Sequence, residues 1–232
     1  MRDAEIVALL SNGAFESRQL LLKEIYYSVE RAIGHAMFRR FPPEISSPRL
    51  LNLGCGPLHY SGWVNADEFA FKRVFRESAF RPDWRLDIKR PWKCLPNYWD
   101  GIFTQHVIEH LYYSHAVQTL IECFRTLRPG AWLRVSVPSI EKTVRFYESG
   151  SSDPFYEQIP RRALSISFLA QMHFHKSAWD ANLMSTVLRV LGFEQVAEVT
   201  CGRGIDTRLA AMDQKSKEVE SLYVEARKPE RS

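Results

Sequence analysis

The sequence predicts an α/β protein organised on an open, doubly wound and mostly parallel sheet. Three observations carry that prediction. Leu50-Leu-Asn-Leu53 is a short apolar run of the kind a strand buried on both faces requires, and it breaks at Gly54-Cys55-Gly56. A second short run, Trp63-Val-Asn-Ala66, ends on Asp67, eleven residues past Gly56. From there to residue 228, further short apolar runs alternate with stretches of helical periodicity. Two glycines one residue apart let the backbone turn tightly and leave no Cβ between it and a ligand. A carboxylate at the end of a second parallel strand is placed to accept hydrogen bonds from both hydroxyls of a ribose. Turn glycines and carboxylate together point to a nucleoside-containing cofactor.

The glycine spacing discriminates between cofactors. A dinucleotide fingerprint needs a third glycine where His59 stands, and a full helix before the acidic residue. Pro57 to Ser61 leaves room for about one helical turn, so a pyrophosphate on a helix N-terminus is poorly provided for. That argues against a nicotinamide-dependent oxidoreductase. The block Asn52-Leu-Gly-Cys-Gly56, followed by Gly62-Trp-Val-Asn-Ala-Asp67, resembles motif I and the acidic motif of class I S-adenosylmethionine-dependent methyltransferases. Within them it is similar to the type 11-like branch with the signature N-(I/L)-G-C-G…G-(W/Y)-(V/I)-N-x-D. The resemblance implies a Rossmann-like sheet of seven strands with an antiparallel last strand, and S-adenosyl-L-methionine as cofactor. It also implies cofactor contacts at Leu53, Gly54, Cys55 and Gly56, with Asp67 on the ribose. Asn52 and Leu58 depart from the family pattern, standing where many relatives carry an acidic residue and a third glycine.

Length and composition bound the rest. A chain of 232 residues, 45% hydrophobic, suits one domain with a sizeable core and some extra elements. A net charge of +4 permits an anionic substrate or membrane surface but does not argue for nucleic acid, which usually shows a concentrated basic stripe. Cys55, Cys94, Cys123 and Cys201 lie far apart with no C-x-x-C pairing, which indicates neither zinc nor a disulfide framework. No apolar run approaches the roughly 18 residues of a transmembrane helix. Met1 to Asn12 holds two acids, unlike a signal peptide. The expectation is a soluble, cytoplasmic protein, monomeric or homodimeric.

Residues 1–45 read as an N-terminal helical extension and 46–232 as the main domain. Leu22, Tyr26, Val29, Ile33 and Met37 recur at spacings of three and four, giving residues 15–41 one apolar face before Pro42-Pro43. Packing on the domain or over the cleft is the favoured role; a membrane-surface helix is the alternative. Phe69 to Trp84 mixes Lys72, Arg73, Arg76 and Arg81, with Arg85 just beyond, with Phe69, Phe71, Phe75 and Phe80. It reads as an amphipathic helix with its Phe residues in the core, rather than a nucleic-acid patch. Trp84 to Ile88 is the third predicted strand, with Asp87 at its end. The resemblance implies that Asp87 accepts the adenine amine and that the Ile88 backbone meets a ring nitrogen. Trp99 to Thr104 is the fourth, followed by Gln105-His-Val-Ile-Glu-His110, which matches the family's V-(I/L)-E-H-(L/I) segment. Gln105 and His106, at the carboxyl end of that strand, are cleft candidates. Glu109 and His110 recur in relatives of unlike chemistry and read as loop architecture.

Ser114 is expected to cap a helix bearing Val117, Leu120, Ile121, Phe124 and Leu127, closed by Pro129-Gly130. Ala131 to Val137 is the fifth strand. Residues 138–176 interrupt the alternation, with Gly150 to Pro154 as a joint and Phe155 to Met172 helical. The resemblance assigns this insertion to the acceptor pocket or a lid. Ser177-Ala-Trp-Asp180 reads as a capping box opening a helix that ends at Gly192. Phe193 to Thr200 and Ser221 to Lys228 are the last two strands, joined by a polar loop. The resemblance covers about residues 48 to 228.

Methyl transfer is the implied activity, to a small-molecule, sugar or lipid acceptor, at oxygen; a non-catalytic subunit recruited through the N-terminal helix is the alternative. A base is needed only for a hydroxyl or protonated amine. His106, His173 and His175 are the candidates, with His175 preferred to His173 because it matches the family's H-(K/R) before the helix. No motif for a metal-dependent catechol-type site is present, so no metal is expected.

Overall fold

Seven strands form one sheet in the order β3-β2-β1-β4-β5-β7-β6. The computed structural model describes residues 41–68, 82–159, 161–171 and 174–230, with single positions at 25, 28 and 29. The predicted helix over 15–41 therefore lies almost wholly outside the described residues, as do Phe69 to Arg81 and His173. β1 (Leu50–Leu53) is parallel to β2 (Val64–Asp67) on one side and β4 (Trp99–Gln105) on the other. β3 (Trp84–Arg85) extends the sheet beyond β2, and β5 (Leu127–Pro138) beyond β4. β7 (Ser221–Arg227) is antiparallel to both β5 and β6 (Glu194–Val199). This is the predicted mostly parallel, Rossmann-like sheet with its antiparallel last strand.

Alternation along the strands divides the side chains between two cores. Leu51, Leu53, Val64, Ala66, Ile102, Leu133, Val135 and Val137 face the larger one. Helix α1 (Tyr113–Thr126) covers it with Ala116, Leu120 and Cys123, and helix α5 (Ala181–Val190) with Met184 and Leu188. Leu50, Phe103 and Trp132 face the other side, where Tyr60, Trp63 and Leu209 of helix α6 (Thr207–Ala210) pack on them. Between β5 and α5, helices α2 (Ile140–Ser149), α3 (Pro154–Glu157) and α4 (Ala163–Gln171) have a small core of their own. There Phe146 stacks on Tyr156 at 4.2 Å beside Ile159. Among the described residues no helix is long and apolar enough to cross a membrane.

Several predicted boundaries shift. β3 stops at Arg85 because Asp87 turns the chain: its carboxylate accepts from Lys89 N at 3.1 Å, an Asx-type turn that competes with the ladder. Ser114 does not cap α1. That helix starts one residue earlier, at Tyr113, whose hydroxyl donates to the Ala178 carbonyl at 2.7 Å and whose ring packs on Trp179. Helix α1 ends at Thr126 rather than at Pro129-Gly130, and the chain is already extended at Leu127, which pairs with Trp99. Arg128, preceding a proline, is disfavoured in a helix. Asp180, not Ser177, caps α5, accepting from Leu183 N at 2.6 Å, while Ser177 Oγ accepts from Trp179 Nε1. Phe155 to Met172 is two helices instead of one, with Pro160 in the sequence between them. The unpredicted α2 is capped by Ser139, which accepts from Lys142 N.

One charged group sits in the middle of this sheet. Arg134, fully buried on β5, bonds Asp213 through Nε at 2.8 Å and again through Nη2, and Glu225 through Nη1 at 2.7 Å. Its Nη groups also donate to the Thr200 and Arg203 carbonyls. Removing the cation would strand two buried carboxylates. Arg134→Leu is therefore expected to lower unfolding stability by about 3–5 kcal/mol, read by urea titration. Arg128→Ala, which breaks the half-exposed pair with Asp100, should change it by less than about 1 kcal/mol. Equal effects of the two substitutions would contradict this account.

Candidate functional site

The chain order reverses between β1 and β4, which lie side by side at the centre of the sheet. Ligands of open α/β sheets bind in the crevice outside the carboxyl ends of such strands. The register brings the ends together: Leu53 lies beside Ala66 and Thr104, and Asp67 beside Arg85. Gly54 to Gly56, Asp67, Asp87 and Gln105-His106 consequently share one edge of the sheet. Leu53 itself is fully buried in the core, so only its main chain can serve the site.

The two glycines do different work. Gly54, at φ +71°, would place a Cβ 2.2 Å from Val107 Cγ2, so it allows the loop after β1 to press against the turn after β4. Gly56, at φ +51°, would direct a Cβ into open space. Gly54 N and Cys55 N both donate to the Ala66 carbonyl, at 2.8 and 3.0 Å. Gly56 N donates to Asp67 Oδ2 and Glu68 N to Oδ1, both at 2.7 Å. The Asp67 carboxylate is thus oriented by two backbone N–H groups. Burial pushes the adjacent Cys55 thiol far up, helped by the charges of Asp67 and Asp83, so this cysteine is an inert packing group.

A buried polar network shapes the loop between these residues. Asn52, directly beside Asn65 in the register, donates through Nδ2 to Asn65 Oδ1 and to the Leu58 carbonyl, each at 3.0 Å. Asn65 Oδ1 also accepts from Tyr60 N at 2.9 Å. Its Nδ2 donates to the Tyr60 carbonyl and to Asp83 Oδ2. Burial works to raise the Asp83 carboxyl, but bonds from Asn65 and then His59 overcome it and hold it below its ordinary value. Sequence reasoning marked Asn52 and Asn65 as signature positions without giving them a task; their task is to hold this loop.

Asp87 lies beside Asp67, since Leu86 N donates to the Asp67 carbonyl at 3.1 Å. Its mostly buried carboxylate faces Arg90 Nε at 3.2 Å and Lys89 Nζ at 3.8 Å. Ile88 is buried, and its carbonyl accepts from Thr119 Oγ1 at 2.9 Å. Gln105 Oε1 accepts from Gln214 N at 3.3 Å, while its Nε2 is buried with no hydrogen-bond partner. His106 takes a left-handed backbone, φ +53°, at the end of β4. Its Nε2 lies 2.7 Å from Ser221 Oγ and its Nδ1 3.3 Å from Glu109 Oε1.

Glu109 is the residue sequence reasoning undervalued. Its carbonyl accepts from Lys176 N at 2.7 Å and Ser177 N at 3.1 Å, tying the turn after β4 to the end of the 138–176 insertion. That docking carries His175 to within 5.0 Å of His110, ring to ring, although 65 residues separate them in sequence. His175 Nδ1 lies 2.7 Å from the Leu169 carbonyl, so Nδ1 carries a hydrogen. Burial would raise the Glu109 carboxyl; the close approach of the His106 imidazole and the charges of His106, His110 and His175 outweigh it and hold it below the usual value. The only signal in the sequence was the His106-x-x-Glu109-His110 spacing.

No family model matches this sequence, and no curated protein matches it. Solved structures do. A "possible exported protein" from Bordetella parapertussis is 15% identical, with a TM-score of 0.52 over 87% of this chain and 67% of that one. A protein from Thermotoga maritima, described as a SAM-dependent methyltransferase and possible histamine N-methyltransferase, is 14% identical. The match covers 91% of this chain and 93% of that one, with a TM-score of 0.51. A SAM-dependent methyltransferase from Archaeoglobus fulgidus is 15% identical over 92% and 100% of the two chains, with a TM-score of 0.48. The strand order and the Thermotoga maritima likeness show that the fold of this chain is the Rossmann-like α/β methyltransferase fold.

The unlike surroundings of the two glycines make a stability test. Alanine at either position meets a left-handed backbone, a strain of about 1–3 kcal/mol. At Gly54 the collision with Val107 adds an overpacking penalty of about 1–3 kcal/mol. Gly54→Ala should therefore lower the unfolding free energy clearly more than Gly56→Ala in parallel denaturant titrations. Equal losses would remove the close packing of the two loops as the reason for Gly54.

Proposed function

We propose that this chain is an S-adenosylmethionine-dependent methyltransferase. The single observation that carries the reading is the cradle at the switch point: open space over Gly56 and the Asp67 carboxylate oriented beside it. The description of the Thermotoga maritima protein, which has the same fold, supports it. When bound, the cofactor supplies an electrophilic methyl group on a sulfonium and leaves as a neutral thioether.

The chain's own part is position. Asp67 would hold the ribose hydroxyls, the main chain of Leu53 to Gly56 the amino-acid portion, and Asp87-Ile88 the adenine edge. For Asp87 this means sharing its carboxylate with Arg90. Gln105, with an orphaned amide donor, and His106 line the remaining wall. The absence of a third glycine and of a helix between Gly56 and Asp67 supports this cofactor over a dinucleotide. Orienting the acceptor in line with the methyl group contributes roughly 7–11 kcal/mol in favourable cases.

The acceptor in this reading is a small molecule, sugar or lipid bound against the 138–176 insertion, with oxygen as the methylated atom. A hydroxyl acceptor loses a proton, and His106 or His175 is the imidazole nearest the task. His175 stands at the end of the insertion, whereas His106 is engaged on both ring nitrogens. No nucleic acid is needed by this reading.

Calorimetry on the full chain tests it. S-adenosylmethionine and S-adenosylhomocysteine should bind at one site per chain, with NAD much weaker. Asp67→Ala should weaken that binding by about 1.5–3 kcal/mol, the range for a hydrogen bond to a charged group. Gly56→Ala should weaken it as well, by filling space the ligand needs. Absence of saturable binding by the wild type, or unchanged affinity in Asp67→Ala, would overturn the assignment.

A further inference from the structure

We propose that Glu109, His110 and His175 form a binding site for one divalent transition-metal ion of the zinc class. Each offers a ligand atom, and the three atoms lie within 4.8 Å of one another. Among the described residues this is the cluster of histidine, cysteine and carboxylate groups with metal-binding geometry.

Four observations converge on the site. Glu109 is 1% exposed, and neither carboxylate oxygen accepts a well-formed hydrogen bond. A buried carboxylate in that condition is expensive unless a cation answers it. What faces it is imidazole: His106 Nδ1 at 3.3 Å and His110 Nε2 at 3.9 Å from Oε1. Second, His175 commits Nδ1–H to the Leu169 carbonyl. This is the outer contact by which ligating histidines are commonly fixed in tautomer and orientation. Third, His106 is tied to Ser221 and reaches the same carboxylate from outside the trio, an orienting partner for the Glu109 oxygen. Fourth, the site joins two segments that are already locked together through the Glu109 carbonyl, so it is held before any ion arrives.

The donor set selects the ion. Two imidazole nitrogens with one carboxylate oxygen suit zinc, iron(II), cobalt or nickel, whereas magnesium and calcium prefer oxygen alone. Ligands about 2.0–2.1 Å from a tetrahedral zinc stand roughly 3.3–3.4 Å apart. The ligand atoms, all within 4.8 Å of one another, would have to close by up to about 1.5 Å. His110, whose ring is about one-third exposed, has room to make that rotation. Three protein ligands leave at least one coordination position for water or another oxygen donor. A bound ion would also occupy Nε2 of His175, so the roles of metal ligand and general base exclude each other at that residue.

The proposal does not depend on the methyltransferase reading, because its test measures the ion directly. Chelator-treated full-length protein would be titrated with cobalt(II), followed by its visible absorption, and then competed with zinc. One equivalent should bind saturably, zinc should displace cobalt, and excess magnesium should displace neither. His110→Ala and His175→Ala should each lower the affinity by at least about 100-fold, the upper end of what disturbing an outer contact does. His115→Ala, at an exposed position on α1, should bind as the wild type does. Circular dichroism on each variant separates lost ligands from lost fold. Absence of a saturable equivalent in the wild type, or undiminished binding in folded His110→Ala and His175→Ala, would overturn the proposal and leave an imidazole–carboxylate cluster only.

Discussion

The contact between Asn52 and Asn65 is the constraint on which the candidate-site half of this protein depends. Both side chains are almost fully buried, on the face of the sheet away from the large core. Two amides in such a place must find partners or lose the hydrogen bonds that water gave them. They find each other, the Leu58 and Tyr60 main chain, and Asp83. The consequence is a loop over 57–63 with a fixed path instead of a helix. A fixed path is what sets the distance from the glycine turn to Asp67. Asn52, a departure from the family pattern in its residue type, is here a structural member rather than a ligand contact.

A second constraint runs across the sheet. Gly54 exists where it does because Val107 occupies the space its Cβ would need. Val107 begins the turn that carries Ile108, Glu109 and His110. The loop that would contact a cofactor and the turn bearing the histidine–carboxylate trio are therefore in van der Waals contact, and displacement of one presses on the other. The same turn receives Lys176 and Ser177 through the Glu109 carbonyl. Glycine loop, trio and insertion are coupled through three consecutive packed or hydrogen-bonded contacts.

The fold was legible in the sequence because burial writes itself into short strands. Leu50 to Leu53 and Trp99 to Thr104 could be read directly, since parallel strands covered on both faces are nearly continuous apolar runs. Boundaries were harder wherever tertiary contacts override local propensity. Ser114 has the better capping chemistry, yet Tyr113, held by Ala178 and Trp179, starts the helix. Ser177 and Asp180 together matched a capping pattern, and only the buried Trp179 indole decided which of them capped. The glycine turn and the strand-end place of Asp67 were legible, because tight turns and strand-end carboxylates restrict residue type. The trio was not. Its members come from two segments whose proximity depends on a main-chain carbonyl, and no local pattern encodes that contact.

Arg134 shows how far a buried charge can act on the site without touching it. Its guanidinium fixes Asp213 and the carbonyls of Thr200 and Arg203, which sets the path of residues 200–214 across the second face of the sheet. On that path Met212 places its carbonyl where the Tyr60 hydroxyl can donate to it at 3.1 Å. Gln214 places its N–H against Gln105 Oε1. Tyr60 belongs to the loop organised by Asn65, and Gln105 ends β4 at the crevice. One cation at the middle of β5 thus restrains both walls, through hydrogen bonds that a hydrophobic residue of similar volume could not replace. Replacing a buried ion network by apolar groups is often neutral for stability when every partner is replaced together. Here the partners also carry the path of a segment, so geometry rather than net energy accounts for a charge at this depth.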